Sequence, residues 1–160
     1  MATTQGSLAL LNDPVALELL RSTSPARLAY VWRDGTPRVV PIWFHWNGKE
    51  IILGTPPNAP KVQALSTNGK VALTIDGNTW PYKVLQVRGA ARIEKVAGVV
   101  PEYALAAERY FGVEQGRAWV KQVAGMFSQM ARIVVKPEWV AVLDFEKRFP
   151  SAIEAAMSGH

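Results

Sequence analysis

The chain has 160 residues, no cysteine, two histidines, 49% apolar and 19% charged residues, and a formal net charge of +5. That composition suits one folded domain with its own core, residues 1–160, and it excludes disulfides, thiolate metal sites and a thiol nucleophile. One histidine, His160, is the last residue, so no metal site is expected, and the dispersed Lys and Arg residues favour a phosphorylated small molecule over nucleic acid.

The N-terminal stretch "MATTQGSLALLNDP" lacks a basic leader region, and no segment has the length and apolarity of a membrane helix, so a cytoplasmic location and no membrane partner are expected. "DPVALELLRS" predicts a short helix with Asp13 as N-cap, Pro14 at the first helical position and Ala16, Leu17 and Leu20 as its buried stripe. "ARLAYVWRDGTPRVVPIWFHWNGKEIILGT" gives three β-type runs separated by Asp34-Gly35 and Asn47-Gly48, pairs that supply the positive φ of tight hairpins. "PKVQALSTNGK" predicts two helical turns ending at Asn68-Gly69, and "KVALTID" returns to strand.

A longer strand follows in "YKVLQVRGAARIEKV", with Gly89 marking a bulge or bend. Between Gly98 and Gln129 the period changes to about 3.6, which predicts two helices separated near Gly112. "ARIVVK" and "EWVAVLDF" read as two closing strands, and the polar tail 147–160 as loosely packed. Six or seven strands in antiparallel order with few helices predict a mostly β fold with α, a small barrel with peripheral helices and a core of about 14–146.

Three stretches carry candidate chemistry. In "ILGTPPNAPK", Thr55 ends a strand and Lys61 sits in the first turn of the next helix, so a hydroxyl, free backbone N–H groups and an ammonium converge, an arrangement that binds phosphate. The plain alternative is a stiff surface loop with a solvated lysine. In "RVVPIWFHW", alternation places Val39, Pro41, Trp43 and His45 on one face and Val40, Ile42, Phe44 and Trp46 on the other; one face fills a core, and the second needs cover from a subunit or a flat ligand. Pro41 predicts a break in the hydrogen-bond ladder. In "VLQVRG", Gln86 and Arg88 project together, a pair suited to a phosphate or a polar heterocycle edge, or simply to an exposed sheet face. Trp80, in the loop before, is read as a lid, an interface anchor or a core plug. No acid/base pair or triad is evident, so no catalytic residue is assigned.

Together the blocks "DGTPRVVPIWF", "ILGT" with "PKVQALSTNGKVALTID", and "LQVRGAARIE", in that order, resemble the pyridoxamine 5'-phosphate oxidase-like split β-barrel family. The resemblance implies a homodimer with FMN at the subunit interface and flavin-dependent oxidoreductase chemistry. It implies Thr55 and Lys61 at the phosphate with Arg38 beside them, the backbone of Pro41, Ile42 and Trp43 against the isoalloxazine, and Gln86 on the flavin; Arg88, which shares the face of Gln86 by alternation, is expected as a further cofactor contact. Relatives of the same fold bind a deazaflavin coenzyme or haem, which are the alternatives. The chain departs from the vitamin B6 oxidases at Ala59 and Pro60, where they carry serine and arginine, at Leu85, where they carry arginine, and in lacking their tryptophan-containing basic C-terminus. It is therefore not expected to be a vitamin B6 oxidase.

Overall fold

A computed structural model describes residues 3–159. Its elements, in order, are a 3-10 turn (Leu8–Asn12), α1 (Pro14–Leu20), β1 (Ala26–Val31), β2 (Pro37–Ile42), β3 (His45–Trp46), β4 (Ile51–Thr55), α2 (Pro60–Thr67), β5 (Lys70–Asp76), β6 (Val84–Ala97), α3 (Pro101–Phe111), α4 (Val113–Met126), β7 (Gln129–Leu143) and α5 (Ser151–Ser158). The seven strands form one antiparallel sheet in the order β2-β1-β5-β6-β7-β4-β3.

β2 and β3 are the two outer edges of this sheet, yet only Trp43 and Phe44 join them. Three Cα steps of about 3.8 Å span at most about 11 Å, so the sheet must curl until its edges nearly meet. The result is a barrel that closes without hydrogen bonds between its last two strands, a split barrel.

Local chemistry explains the turns. Between β1 and β2, the Asp34 carboxylate accepts from the Thr36 N–H at 2.9 Å and from its hydroxyl at 2.6 Å, while Gly35 takes φ +84°. Between β3 and β4, Asn47 Oδ1 accepts from Lys49 N at 2.9 Å and Glu50 N at 2.7 Å around Gly48 at φ +94°. Both hairpins fall where the sequence placed them. Asp13 caps α1 as expected, accepting from Val15 N at 2.9 Å.

Several expectations need correction. The buried stripe of α1 is Ala16, Leu19 and Leu20, an i, i+3, i+4 set, with Leu17 only half-buried. The run from Arg38 to Trp46 is not one strand; it bends at Trp43–Phe44 to cross the split, although its side-chain parity survives, with Val40, Ile42, Phe44 and Trp46 on the core. Pro41 does not interrupt pairing: it stays in register with Arg27, because β2 is an edge strand whose outward N–H has no ladder partner to lose. The last two runs are a single strand, β7, which continues through Pro137. The register shift opposite Arg88/Gly89 absorbs that proline, and Gly89 is required there, since a Cβ would lie 2.1 Å from the Lys136 carbonyl oxygen. The tail forms a helix, α5, with no buried residue.

The barrel interior is filled by buried residues of β1, β4, β5, β6 and β7, such as Leu28, Leu53, Leu73, Leu85 and Ile133, with Phe44, with half-buried Val40, Ile42 and Trp46 from the two edge strands, and with apolar residues inserted by α1 and α2. A smaller cluster of Val100, Val123 and Met130 lies under α3 and α4. These two helices cover the outside of the β4 and β7 half of the sheet, where Ile52 and Val134 are fully buried. The outside of β2, β1, β5 and β6 has no such cover: Val39 is 65% exposed.

Candidate functional site

The first candidate centre is the corner between β4 and α2. β4 is buried along its whole length, and Thr55 at its end is the only buried polar side chain among the described residues. Two prolines then turn the chain into α2, which begins at Pro60 with Ala59 as N-cap and no side-chain capping bond. Pro60 has no N–H to offer and the Val62 N–H donates to the Ala59 carbonyl at 2.9 Å, which leaves the Lys61 N–H as the donor without an acceptor inside the helix. Lys61 stands in this first turn, half-buried, and burial lowers its pKa below the ordinary lysine value with no acidic neighbour to offset the cost. An ammonium kept partly dry at the start of a helix with no side-chain cap is a receptor for an anion.

Arg38 belongs to the same end of the molecule. Its guanidinium lies 5.0 Å from the Trp32 ring, and Arg33 lies 5.1 Å from the same ring while donating a hydrogen bond to Gln63 of α2. That bond ties the β1–β2 hairpin to the helix bearing Lys61. Arg33, Trp32 and Gln63 were not singled out in the sequence, and no local pattern there marks them.

A second group forms a cavity of about 400 Å³ lined by Pro41, Ile42, Trp43, Gly54, Tyr103 and Phe111, among others. It sits beside the split, one residue from Thr55. The Trp43 ring is stacked on Tyr110 at 5.1 Å and meets Phe111 edge-on at 4.9 Å, so its side chain anchors α3 to the end of β2. Tyr103 packs directly over Gly54, where a Cβ would come within 2.7 Å of the tyrosine Cβ. Arg109 and Tyr110 fix α3 further by donating to the carbonyls of Ser22, Phe44 and Ser24. The seven-residue spacing of Tyr103 and Tyr110 places them on one helix face and was the available sequence signal for this wall.

The third group lies on the bare outer face. Cross-strand register puts Pro41, Arg27, Thr74, Gln86 and Ala141 in one row and Val39, Ala29, Ala72, Arg88 and Trp139 in the next. Gln86 and Arg88 do share a face, and the Arg88 guanidinium sits 3.9 Å above the Trp139 ring. Pro41 and Gln86 are three strands apart, roughly 14 Å along the sheet at about 4.8 Å per strand. One copy of the chain thus presents the anion corner with the β2 segment at one end and the amide–guanidinium pair some distance along the sheet.

His45 is half-buried, and burial together with the nearby Arg109 charge lowers its pKa. The Arg132 guanidinium donates to Glu102 and Glu94, holding the Glu102 carboxyl below its usual range. The Arg132 bonds brace α3, through Glu102, on the sheet.

The pyridoxamine 5'-phosphate oxidase family profile matches residues 13–144, which takes in every strand and all three groups. The chain belongs to this family. Solved structures share the fold. An F420 reductase is 26% identical, with a TM-score of 0.59 over 77% of this chain and 93% of the other. A conserved hypothetical protein from Mycobacterium tuberculosis is 19% identical, with a TM-score of 0.69 over 92% of this chain and 91% of its own. HutZ, the haem storage protein of Vibrio cholerae, is 16% identical, with a TM-score of 0.60 over 81% and 93%. No curated protein matches the sequence. The fold is therefore shared by proteins whose names point to different cofactors.

Proposed function

We propose that this chain is an FMN-binding oxidoreductase that acts as a homodimer, with the cofactor phosphate at Thr55, Lys61 and the open N-terminus of α2. The observation that carries the reading is Lys61: a half-buried ammonium with no acidic neighbour offsetting its charge, set at an uncapped helix start. Folding around such a charge costs stability unless an anion completes it. The residues present therefore fit a phosphate-bearing cofactor.

Bound flavin supplies hydride transfer, and the protein supplies position and charge. The Lys61 ammonium and backbone N–H hold the phosphate, with Arg38 contributing positive charge from the adjacent hairpin. The β2 segment Pro41 to Trp43 offers a rigid wall, since Trp43 is held by α3. Gln86 and Arg88, separated from that wall along the sheet, supply an amide and a guanidinium from the bare face. A second copy seated on that face brings these groups toward the first copy's corner and buries Val39. Ala59, Pro60 and Leu85 replace polar groups of the vitamin B6 oxidases, so the substrate is another small molecule.

A deazaflavin coenzyme is the second reading, favoured by the 26% identity to an F420 reductase over 93% of that chain. It uses the same corner, because it also carries a phosphate on its side chain. The haem storage neighbour, at 16% identity, bears on the fold alone.

The test is reconstitution of purified protein with FMN and separately with deazaflavin, followed by gel filtration and visible absorption of the protein peak. Retained FMN in a dimer is the expected result. Retention of deazaflavin alone moves the function to the second reading, and retention of neither removes the corner as a cofactor site.

A further inference from the structure

Two aromatic groups reach the surface. Trp80, Tyr82 and Phe145 form one, on and beside the hairpin 77–83; Trp80 is 64% exposed and so does not plug the core. The carboxylates of Asp76 and Glu18 near it are already paired, with Arg27 at 2.8 Å and Lys83 at 2.7 Å. The other group lies beside the split, where Trp43, Tyr103, Trp119 and Phe111 form a closed circuit. The Trp43 ring is 5.6 Å from Tyr103, Trp119 Nε1 donates to the Tyr103 hydroxyl at 2.8 Å, and Phe111 meets Trp119 at 6.4 Å and Trp43 at 4.9 Å, both edge-on. All four line the cavity of about 400 Å³, and Phe111 is 44% exposed.

What sets this cavity apart is its lack of charge. None of its lining residues is ionic, whereas the cavities over the open face and around the hairpin 77–83 each include charged side chains. The charged residues of α3 have other partners: Glu102 accepts from Arg132, Glu108 accepts from Arg117, and Arg109 donates to the carbonyls of Ser22 and Phe44. Pro25 and Pro41 in the lining bring no N–H. Two lining groups keep a proton without an acceptor among the described residues, the Tyr103 hydroxyl and the Trp43 indole N–H. The hydroxyl is the better placed, because the bond it accepts from Trp119 both fixes its oxygen and strengthens it as a donor. A charged ligand would lose hydration here without gaining a counter-charge, and a flat apolar one would bury surface against the rings.

We infer that this cavity takes an uncharged, planar ring compound with a carbonyl group, its ring among Trp43, Phe111 and Trp119 and its carbonyl oxygen accepting from the Tyr103 hydroxyl. Pro41, Ile42 and Trp43 belong both to this cavity and to the wall assigned to the flavin ring, which makes such compounds the substrate class of that site. That role rests on the proposed cofactor reading; the choice of an uncharged ring rests on the lining alone.

The probes are four compounds of one shape: 2-acetylnaphthalene, the anion 2-naphthoate, the cation 2-naphthamidinium, and 2-isopropenylnaphthalene, in which a methylene replaces the ketone oxygen. Each is measured by equilibrium dialysis against the full-length protein, before and after incubation with FMN. The ketone should bind about tenfold more tightly than either ion and about fivefold more tightly than the alkene. Tyr103→Phe keeps the ring packed on Gly54 and should abolish the preference for ketone over alkene while leaving the alkene unchanged. Phe111→Ala, at a partly exposed position, should weaken ketone and alkene alike by about fivefold. No binding of the ketone, or binding of either ion as tight as the ketone's, overturns the uncharged-ring site. A ketone preference that survives Tyr103→Phe, or an equal loss of ketone and alkene in that variant, overturns the role of the hydroxyl. FMN uptake without ketone binding overturns the cavity and leaves the cofactor reading standing; ketone binding without FMN uptake supports the cavity and overturns its place beside a flavin. Displacement of the ketone by FMN overturns the substrate role, since the flavin itself then fills the cavity.

Discussion

The outside of one sheet is treated in two ways. Over β4 and β7 it is roofed by α3 and α4, and Ile52 and Val134 there are fully buried. Over β2, β1, β5 and β6 it is open, and Val39, Ala29 and Ala72 form a low apolar strip next to Arg88. The strands on both halves are equally apolar in sequence. What differs is that the helices of residues 98–128, between β6 and β7, fold back over only one half and leave the other open.

The comparison is broken most forcefully from the inside. Phe44 is fully buried and forms the bridge across the split, so Phe44→Ala should lower unfolding free energy by ~3–5 kcal/mol in urea titration. A loss below about 1 kcal/mol would mean that the bridge does not hold the two halves together.

Next comes the corner. Lys61→Ala should weaken cofactor binding by ~1.5–3 kcal/mol, read by fluorescence titration, while leaving the cofactor-free protein as stable or more so. The sign follows from the lowered pKa: the folded protein disfavours the charged lysine, so this residue lowers stability below its folded pKa, and that penalty is relieved as pH rises toward the unfolded lysine value of 10.5. A bound phosphate favours the ammonium, so affinity should fall as pH rises through the folded Lys61 pKa, and Lys61→Ala should flatten that profile. An unchanged profile removes Lys61 from the phosphate.

The roofed half should show a smaller, acid-side effect. Glu102 is mostly buried against Arg132, and that guanidinium lowers its pKa. Its contribution is present above the unfolded carboxyl value of 4.5 and is lost as pH falls through the lower folded value. Arg132→Met should therefore reduce the acid sensitivity of thermal unfolding, and an identical pH profile would show that the ion pair does not fasten the roof.

The smallest effect on folding is expected on the open half. Val39→Asp should change monomer stability by no more than about 0.5 kcal/mol, because the side chain is exposed. The same change should shift the protein from dimer to monomer in sedimentation and release cofactor. A Val39→Asp protein that stays dimeric would place the partner elsewhere.

Much of this was readable residue by residue. Asp34-Gly35 and Asn47-Gly48 marked their hairpins because glycine accepts the positive φ of such turns, and Asp13-Pro14 marked a helix start because the Asp13 carboxylate caps the Val15 N–H and proline loses nothing at the first helical position. The parity of Val40, Ile42, Phe44 and Trp46 was correct even though the strand itself breaks, since alternation depends on local extension and not on pairing. Pro137 misled: a proline in a β run looks like an end, and only the partner strand, with Gly89 opposite, shows that the bulge accommodates it. The Thr55–Lys61 corner was visible as a polar, proline-rich stop, but the burial of Lys61 was not, because burial depends on what else is nearby.

The sequence alone determined the elements, the turns and which face of each strand is apolar, because these follow from backbone angles and a two-residue period that neighbouring residues set. Only the tertiary structure decided that Pro41 and Gln86 share a row, that Arg33 ties its hairpin to the helix of Lys61, and that one half of the sheet's exterior is roofed while the other is open. Those relations are set by the register and by how the sheet curls, which arise from contacts between residues far apart in the chain.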